Sequence, residues 1–146
     1  MQENNEPVEN SSVSAEFTGG NETILVVEDE KIVREMICEI LRENGYTVLE
    51  AVNGPEALQL VRAHPEPIHL LLTDMVMPGK LTGHDLGKEI TQFHPETKLL
   101  YMSGYTDNAI IYHEIIDKGI AFLAKPFRPS KLTQKVREVL AGSAEQ

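Results

Sequence analysis

The chain reads as an α/β protein: five units of strand then helix, wound into an open, doubly wound, five-stranded parallel sheet in the order 2-1-3-4-5. Three observations predict it. Five short apolar runs alternate with five stretches of helical periodicity, and that alternation buries a parallel sheet between two helical layers. The chain has 146 residues, too few for a closed eight-fold barrel. Right-handed crossovers then leave few topologies, of which 2-1-3-4-5 is a common one.

The elements follow in order. "TILVVE" from Thr23 is a β-branched run, read as a buried strand. Ile32, Val33, Met36, Ile37, Ile40 and Leu41 recur with helical spacing. Asn44-Gly45 ends that helix, because glycine accepts the left-handed conformation a helix end needs. "YTVLEAV" is the second strand. Asn53 caps the second helix, with Pro55 in its first turn and Ala57, Leu58 and Val61 on its apolar face. "IHLLLTD" is the third strand, and a loop through Gly83 leads to a helix with Leu86, Ile90 and Phe93 on one face. "TKLLYMS" is the fourth strand, followed by a helix over residues 107–118 that Gly119 ends. "IAFLAK" is the fifth strand, and Pro129 opens a last helix with Leu132, Val136, Val139 and Leu140 on one side.

Composition narrows the function classes. The formal net charge of −10 offers no basic stripe for phosphates, so nucleic acid is not an expected partner. No stretch has the apolar length of a membrane span, and "MQENNEPVEN" has neither a basic nor an apolar leader region, so a cytoplasmic protein without membrane contact is expected. The single cysteine, Cys38, falls in a helical pattern and reads as a packing residue. Residues 1–21 are polar, contain no Lys or Arg, and read as a disordered acidic tail or linker. The folded domain is expected over 22–142, with 143–146 a short C-terminal tail.

"LLLTDMVMPG" places one carboxylate, Asp74, at the tip of a greasy strand, where an unpartnered charge is costly. Asp74 could cap a turn, but ligands of open α/β sheets sit outside the carboxyl ends of the strands. In this order that edge also carries Glu28-Asp29-Glu30 after strand 1, Ser103-Gly104 after strand 4 and Lys125-Pro126 after strand 5. Taken singly, each has a plain reading: a solvated helix start, a turn, a strand end. Together, carboxylates from two adjacent strands repel each other unless some stay protonated or a hard divalent cation joins them. Mg²⁺ suits one or two carboxylates plus a phosphate. Lys125 and Ser103 complete a pocket for phosphoryl oxygens, with Asp74 as the nucleophile.

"ILVVEDE", "LLTDMVMPG", "LLYMSGY" and "AFLAKPF" resemble, as an ordered set over about 23–140, the receiver domain of two-component response regulators. The resemblance implies the flavodoxin-like (βα)5 fold and a phosphorelay function. It makes Asp74 the phosphoacceptor. It makes Asp29 a direct Mg²⁺ (or Mn²⁺) ligand, Glu28 a ligand through water, and the Val76 carbonyl a further ligand beside Asp74. It gives Ser103 and Lys125 the phosphoryl group, and Ser103 with Phe122 the switch. A cis bond at Lys125-Pro126 is expected, and Val76 and Tyr105 occupy the positions that tune the phosphoryl lifetime. The implied donor is a histidine kinase or phosphotransfer domain. The implied output is a partner or self-dimer on the face of the fourth helix, fifth strand and fifth helix, where Ile110, Ile111, Ile115 and Ile116 make the helix unusually apolar. The domain would catalyse only its own phosphorylation and dephosphorylation.

"MSGYTDNAI" with "AFLAKPF" is most similar to receivers at the C-termini of hybrid sensor histidine kinases. A stand-alone response regulator and a piece of a hybrid kinase are both open. With room for one helix after Lys125, no effector domain is expected. The sequence departs from the family pattern in three ways. Glu28 stands where Asp is usual. "PGKLTGHDL" is one residue longer than the common loop. Val76 and Tyr105 are neither acidic nor amide-bearing, so they do not readily orient an attacking water and self-dephosphorylation should be slow. A phosphate sink or degenerate receiver is the alternative. An Asp-nucleophile phosphatase of the haloacid-dehalogenase type fits poorly, since Asp74-Met75-Val76 lacks a second acid. A zinc site fits worse, since His113-Glu114-Ile115-Ile116-Asp117 lacks the second histidine. A flavin module would need a hydroxyl- and glycine-rich loop where Glu28-Asp29-Glu30 stands.

Overall fold

The computed structural model describes residues 20–75, 82–104 and 121–142. The elements are β1 (Thr23–Val27), α1 (Lys31–Glu43), β2 (Thr47–Ala51), α2 (Gly54–Ala63), β3 (Leu70–Asp74), α3 (Gly83–Phe93), β4 (Lys98–Gly104), β5 (Phe122–Lys125) and α4 (Pro129–Leu140). The helix expected over 107–118, with its four isoleucines and Gly119, lies outside the described residues, as do Val76 and Tyr105. The five strands form one sheet in the order β2-β1-β3-β4-β5, all paired parallel.

Strand periodicity divides the core in two. Ile24, Val26, Leu70, Leu72, Leu100, Met102 and Leu123 face Ile37, Cys38 and Leu41 of α1 and Leu132, Val136 and Val139 of α4. On the opposite face Leu25, Val27 and Leu71 meet Ala57 and Val61 of α2 and Leu86 and Ile90 of α3. Because β1 and β3 are covered on both sides, they carry continuous apolar runs, "ILVV" and "LLL", instead of alternating. Cys38 is buried in the first cluster, and that burial pushes its thiol up to about 11, as befits a packing residue.

Two expected apolar faces are narrower than the sequence pattern drew them. Ile32 is 82% exposed and Met36 41%. At about 100° per residue, Ile32 points away from the stripe of Ile37, Cys38 and Leu41 that meets the sheet. Phe93 ends α3 half-exposed, with the Arg62 guanidinium 5.5 Å from its ring centroid.

Helix ends follow local chemistry. Asn53 caps α2, its side chain accepting from Glu56 N–H at 2.8 Å. Gly45 takes φ +96 after the Asn44 cap of α1, and Asn44 O accepts from Gly20 N–H at 3.1 Å. Gly83, expected in a loop, is the first residue of α3. Thr82 precedes it and forms a reciprocal capping box with Asp85.

Candidate functional site

Register brings the chemistry to one edge. Val27 of β1 lies opposite Thr73 of β3, so Glu28 and Asp74 emerge side by side. Asp74 is level with Met102, which places Ser103 one step further out on β4. Met102 is level with Leu123, which carries Lys125 two steps beyond on β5. Four residues distant in sequence thus converge because parallel strands end together.

The carboxylates are close and unequal in exposure. Ligand oxygens of Glu28, Asp29 and Asp74 lie within 4.8 Å of one another, Glu28 and Asp74 buried and Asp29 exposed. Lys125 Nζ sits between the two buried acids, 2.7 Å from Asp74 Oδ1 and 3.0 Å from Glu28 Oε1. Glu28 Oε2 accepts from Glu30 N–H at 3.2 Å. The longer arm of Glu28, the expected departure, therefore holds both Lys125 and the turn into α1. Burial pushes the Asp74 carboxyl up to about 7, with the Glu28 charge adding to the rise and Lys125 opposing it. Burial works against the Lys125 ammonium, but its contacts with Asp74 and Glu28 outweigh that and its pKa lies above the ordinary lysine value.

Ser103 is buried at the end of β4. Phe122, level with Tyr101, packs half-buried against the pair of Met75 and Tyr101. The Lys125–Pro126 bond is cis. Val76 and Tyr105 belong to the undescribed residues.

The structure adds residues that sequence reasoning missed. Gly83 N–H donates to Met75 O at 2.9 Å, and a Cβ on Gly83 would collide with the Asp74 carbonyl oxygen. Glycine there lets α3 start directly behind the carboxyl end of β3. The Thr82-x-x-Asp85 spacing could have revealed that start. Arg34, one turn into α1, donates from Nη1 to the Glu28 carbonyl at 2.9 Å. No local signal announces that contact.

A buried aspartate beside a lysine, two further acids and a hydroxyl at the carboxyl edge of a 2-1-3-4-5 sheet defines a receiver-type phosphoacceptor domain. Residues 24–137 match the family model described as response regulator receiver domain, and the chain belongs to that family. It is 36% identical over 121 residues to the sensor kinase CckA of Brucella abortus, covering 83% of this chain and 13% of that protein. It is 31% identical to the response regulator receiver protein CpdR of the same organism, covering 80% of this chain and 95% of that one. The solved receiver domain of hybrid histidine kinase CckA superimposes with a TM-score of 0.66 at 32% identity, covering 81% of this chain and 98% of that one. The chain is thus a receiver domain of two-component phosphorelay systems, homologous both to hybrid-kinase receivers and to response regulators, a family in which phosphorylation of an aspartate is general. Among the described residues no helix is long and apolar enough to cross a membrane.

Proposed function

We propose that Asp74 is the phosphoacceptor and that residues 22–142 form the phosphoaccepting unit, between an acidic tail or linker over 1–21 and a short tail over 143–146. The observation that carries this is the placement of Lys125 Nζ at 2.7 Å from Asp74 Oδ1, within a group of three acids. Such a donor set fits a hard divalent cation, Mg²⁺ or Mn²⁺. Glu28, Asp29, Asp74 and the Val76 carbonyl would hold it, and when bound it supplies positive charge to the phosphoryl oxygens. Asp74 attacks the phosphorus of a phosphohistidine, on a histidine kinase or a phosphotransfer domain. The new O–P bond forms as the N–P bond breaks, and the imidazole nitrogen keeps the electron pair and takes a proton. Lys125 exchanges its carboxylate partner for a phosphoryl oxygen, and Ser103 donates its hydroxyl to another. The added charge, about −1.5 to −2, draws Ser103 inward and lets Phe122 follow. That biases the packing of the face made by β5, α4 and the helix expected over 107–118, where an output partner or a second copy would bind.

In this reading the domain catalyses only its own phosphorylation and dephosphorylation, and it works in the cytoplasm as part of a hybrid kinase or as a stand-alone regulator. Intact mass after incubation with Mg²⁺ and a small acyl phosphate tests it. Wild type gains one phosphoryl group and Asp74→Asn gains none; a gain in both removes Asp74 from the role. A folded wild type that gains nothing, even from a phosphohistidine donor, is a degenerate receiver. Val76 and Tyr105 give the phosphoaspartate a long lifetime, since neither readily orients an attacking water. Val76→Asn therefore shortens the half-life read by mass spectrometry, and an unchanged or longer half-life refutes that role.

A further inference from the structure

The β1–α1 corner carries two of the three acids, Glu28 and Asp29, and the Glu28 side chain is not its only anchor. Its backbone is held from behind. Glu28 N–H donates to Ala51 O on the edge strand β2 at 3.2 Å. The Glu28 carbonyl accepts from Arg34 Nη1 at 2.9 Å. Arg34 is itself fixed: its Nε lies 3.5 Å from Glu50 Oε1, and its side chain is only 13% exposed. Glu50 projects from β2, level with Val26 in the register. Its other oxygen, Oε2, is 3.1 Å from Arg42 Nη2, and Arg42 Nη2 also donates to Val48 O at 3.1 Å. A guanidinium suits this position because its rigid fork reaches a carbonyl with one nitrogen and a carboxylate with another, which an ammonium on a flexible stem does not do.

We infer that Arg34, braced by Glu50, is a positioning residue that sets the divalent-cation affinity of the acid cluster by fixing the Glu28–Asp29 backbone. The inference rests on the proposed metal-assisted reading of the site. Arg34 touches neither the reacting oxygens of Asp74 nor the acid side chains in the described contacts. It acts through the peptide whose orientation decides where the Glu28 and Asp29 carboxylates point. Losing a group hydrogen-bonded to a metal ligand commonly changes affinity by about 10–100-fold, and Arg34, acting through the backbone one bond further away, falls at the lower end. Arg42 provides an internal control. It contacts the same Glu50 and the same strand, but not the corner.

The experiment is Mn²⁺ binding to the full chain, read by the loss of free-ion electron paramagnetic resonance signal, with a thermal melt on each variant. Arg34→Gln weakens binding by about tenfold while still melting cooperatively. Arg34→Lys keeps the charge and does not restore the affinity. Glu50→Gln weakens binding less, and adding it to Arg34→Gln produces no further loss, because Glu50 acts through Arg34. Arg42→Gln leaves the affinity at the wild-type value. Equal affinity in Arg34→Gln and wild type overturns the positioning role while the metal-assisted reading stands, and so does full rescue by Arg34→Lys. An equal loss in Arg42→Gln also overturns it, since that marks general loosening of α1 against β2. If wild type itself binds no Mn²⁺, the metal-assisted reading fails and the inference fails with it. Should Arg34→Gln not fold, the comparison of Glu50→Gln with Arg42→Gln decides.

Discussion

At the amino end of the sheet, the described backbone and hydroxyl groups pair with neutral acceptors. Thr23 N–H donates to His69 Nδ1 at 2.9 Å, His69 N–H returns to Thr23 O, and Lys98 N–H donates to His69 O, both at 2.9 Å. Thr97 Oγ1 donates to the Ile68 carbonyl at 2.6 Å. Arg137 and Glu22 form a charge pair there, 2.7 Å apart and partly open to solvent. At the carboxyl end the balance is reversed. Two buried carboxylates share one ammonium, and a third acid stands close by. The same five strands therefore end once in matched hydrogen bonds and once in crowded charge. The matched end adds stability, whereas the crowded end stores repulsion that a divalent cation can relieve.

The largest expected effect separates the two ends outright. Asp74→Asn abolishes phosphoryl acceptance in the mass assay, while Glu22→Gln leaves it at the wild-type level. Next comes opposite pH dependence. The folded pKa of Asp74 is raised to about 7 from 3.8, so its contribution to stability is fully present below about 3.8 and is lost as pH rises through about 7. Metal-free wild type should therefore lose melting temperature relative to Asp74→Asn across that window, and added Mg²⁺ should return it. Arg137 holds Glu22 below the ordinary 4.5, so that contribution is present above 4.5 and fades as pH falls below it. A difference of melting curves between wild type and Glu22→Gln, taken from neutral to acid pH, reads that second sign.

Packing at the crowded end gives the third effect. Gly83→Ala forces a methyl against the Asp74 carbonyl and should cost about 1–3 kcal/mol in denaturant unfolding, with slower phosphoryl acceptance because the shift falls on the strand end that carries Asp74. Thr97→Val strands the buried Ile68 carbonyl and should cost about 1–3 kcal/mol without changing acceptance. Smallest is Glu22→Gln, at about 0.2–1 kcal/mol near neutral pH, since the pair is partly exposed. If Thr97→Val slowed acceptance as much as Gly83→Ala, the two ends would be coupled and the contrast between them would fail.

Apolar runs, caps and turn residues determined much of this protein by local rules. The uninterrupted greasiness of "ILVV" and "LLL" marked central strands buried on both faces. Asn53 announced the cap of α2, and Asn44-Gly45 the end of α1. The order of acids, Ser103 and Lys125 at strand ends was readable because parallel strands deliver their carboxyl ends to one edge. Tertiary structure decided the rest. It turned Ile32 and Met36 out to solvent, since a helix packed on a flat sheet buries only the arc that the sheet can reach. It put Gly83 against the Asp74 carbonyl, since only the folded chain brings those backbones together. It set Lys125 between Glu28 and Asp74 and raised the Asp74 pKa, because both follow from burial and from distances across 97 residues of sequence. Arg34 was invisible for the same reason: its partners are a backbone carbonyl and a strand neighbour, and neither leaves a pattern in the order of amino acids.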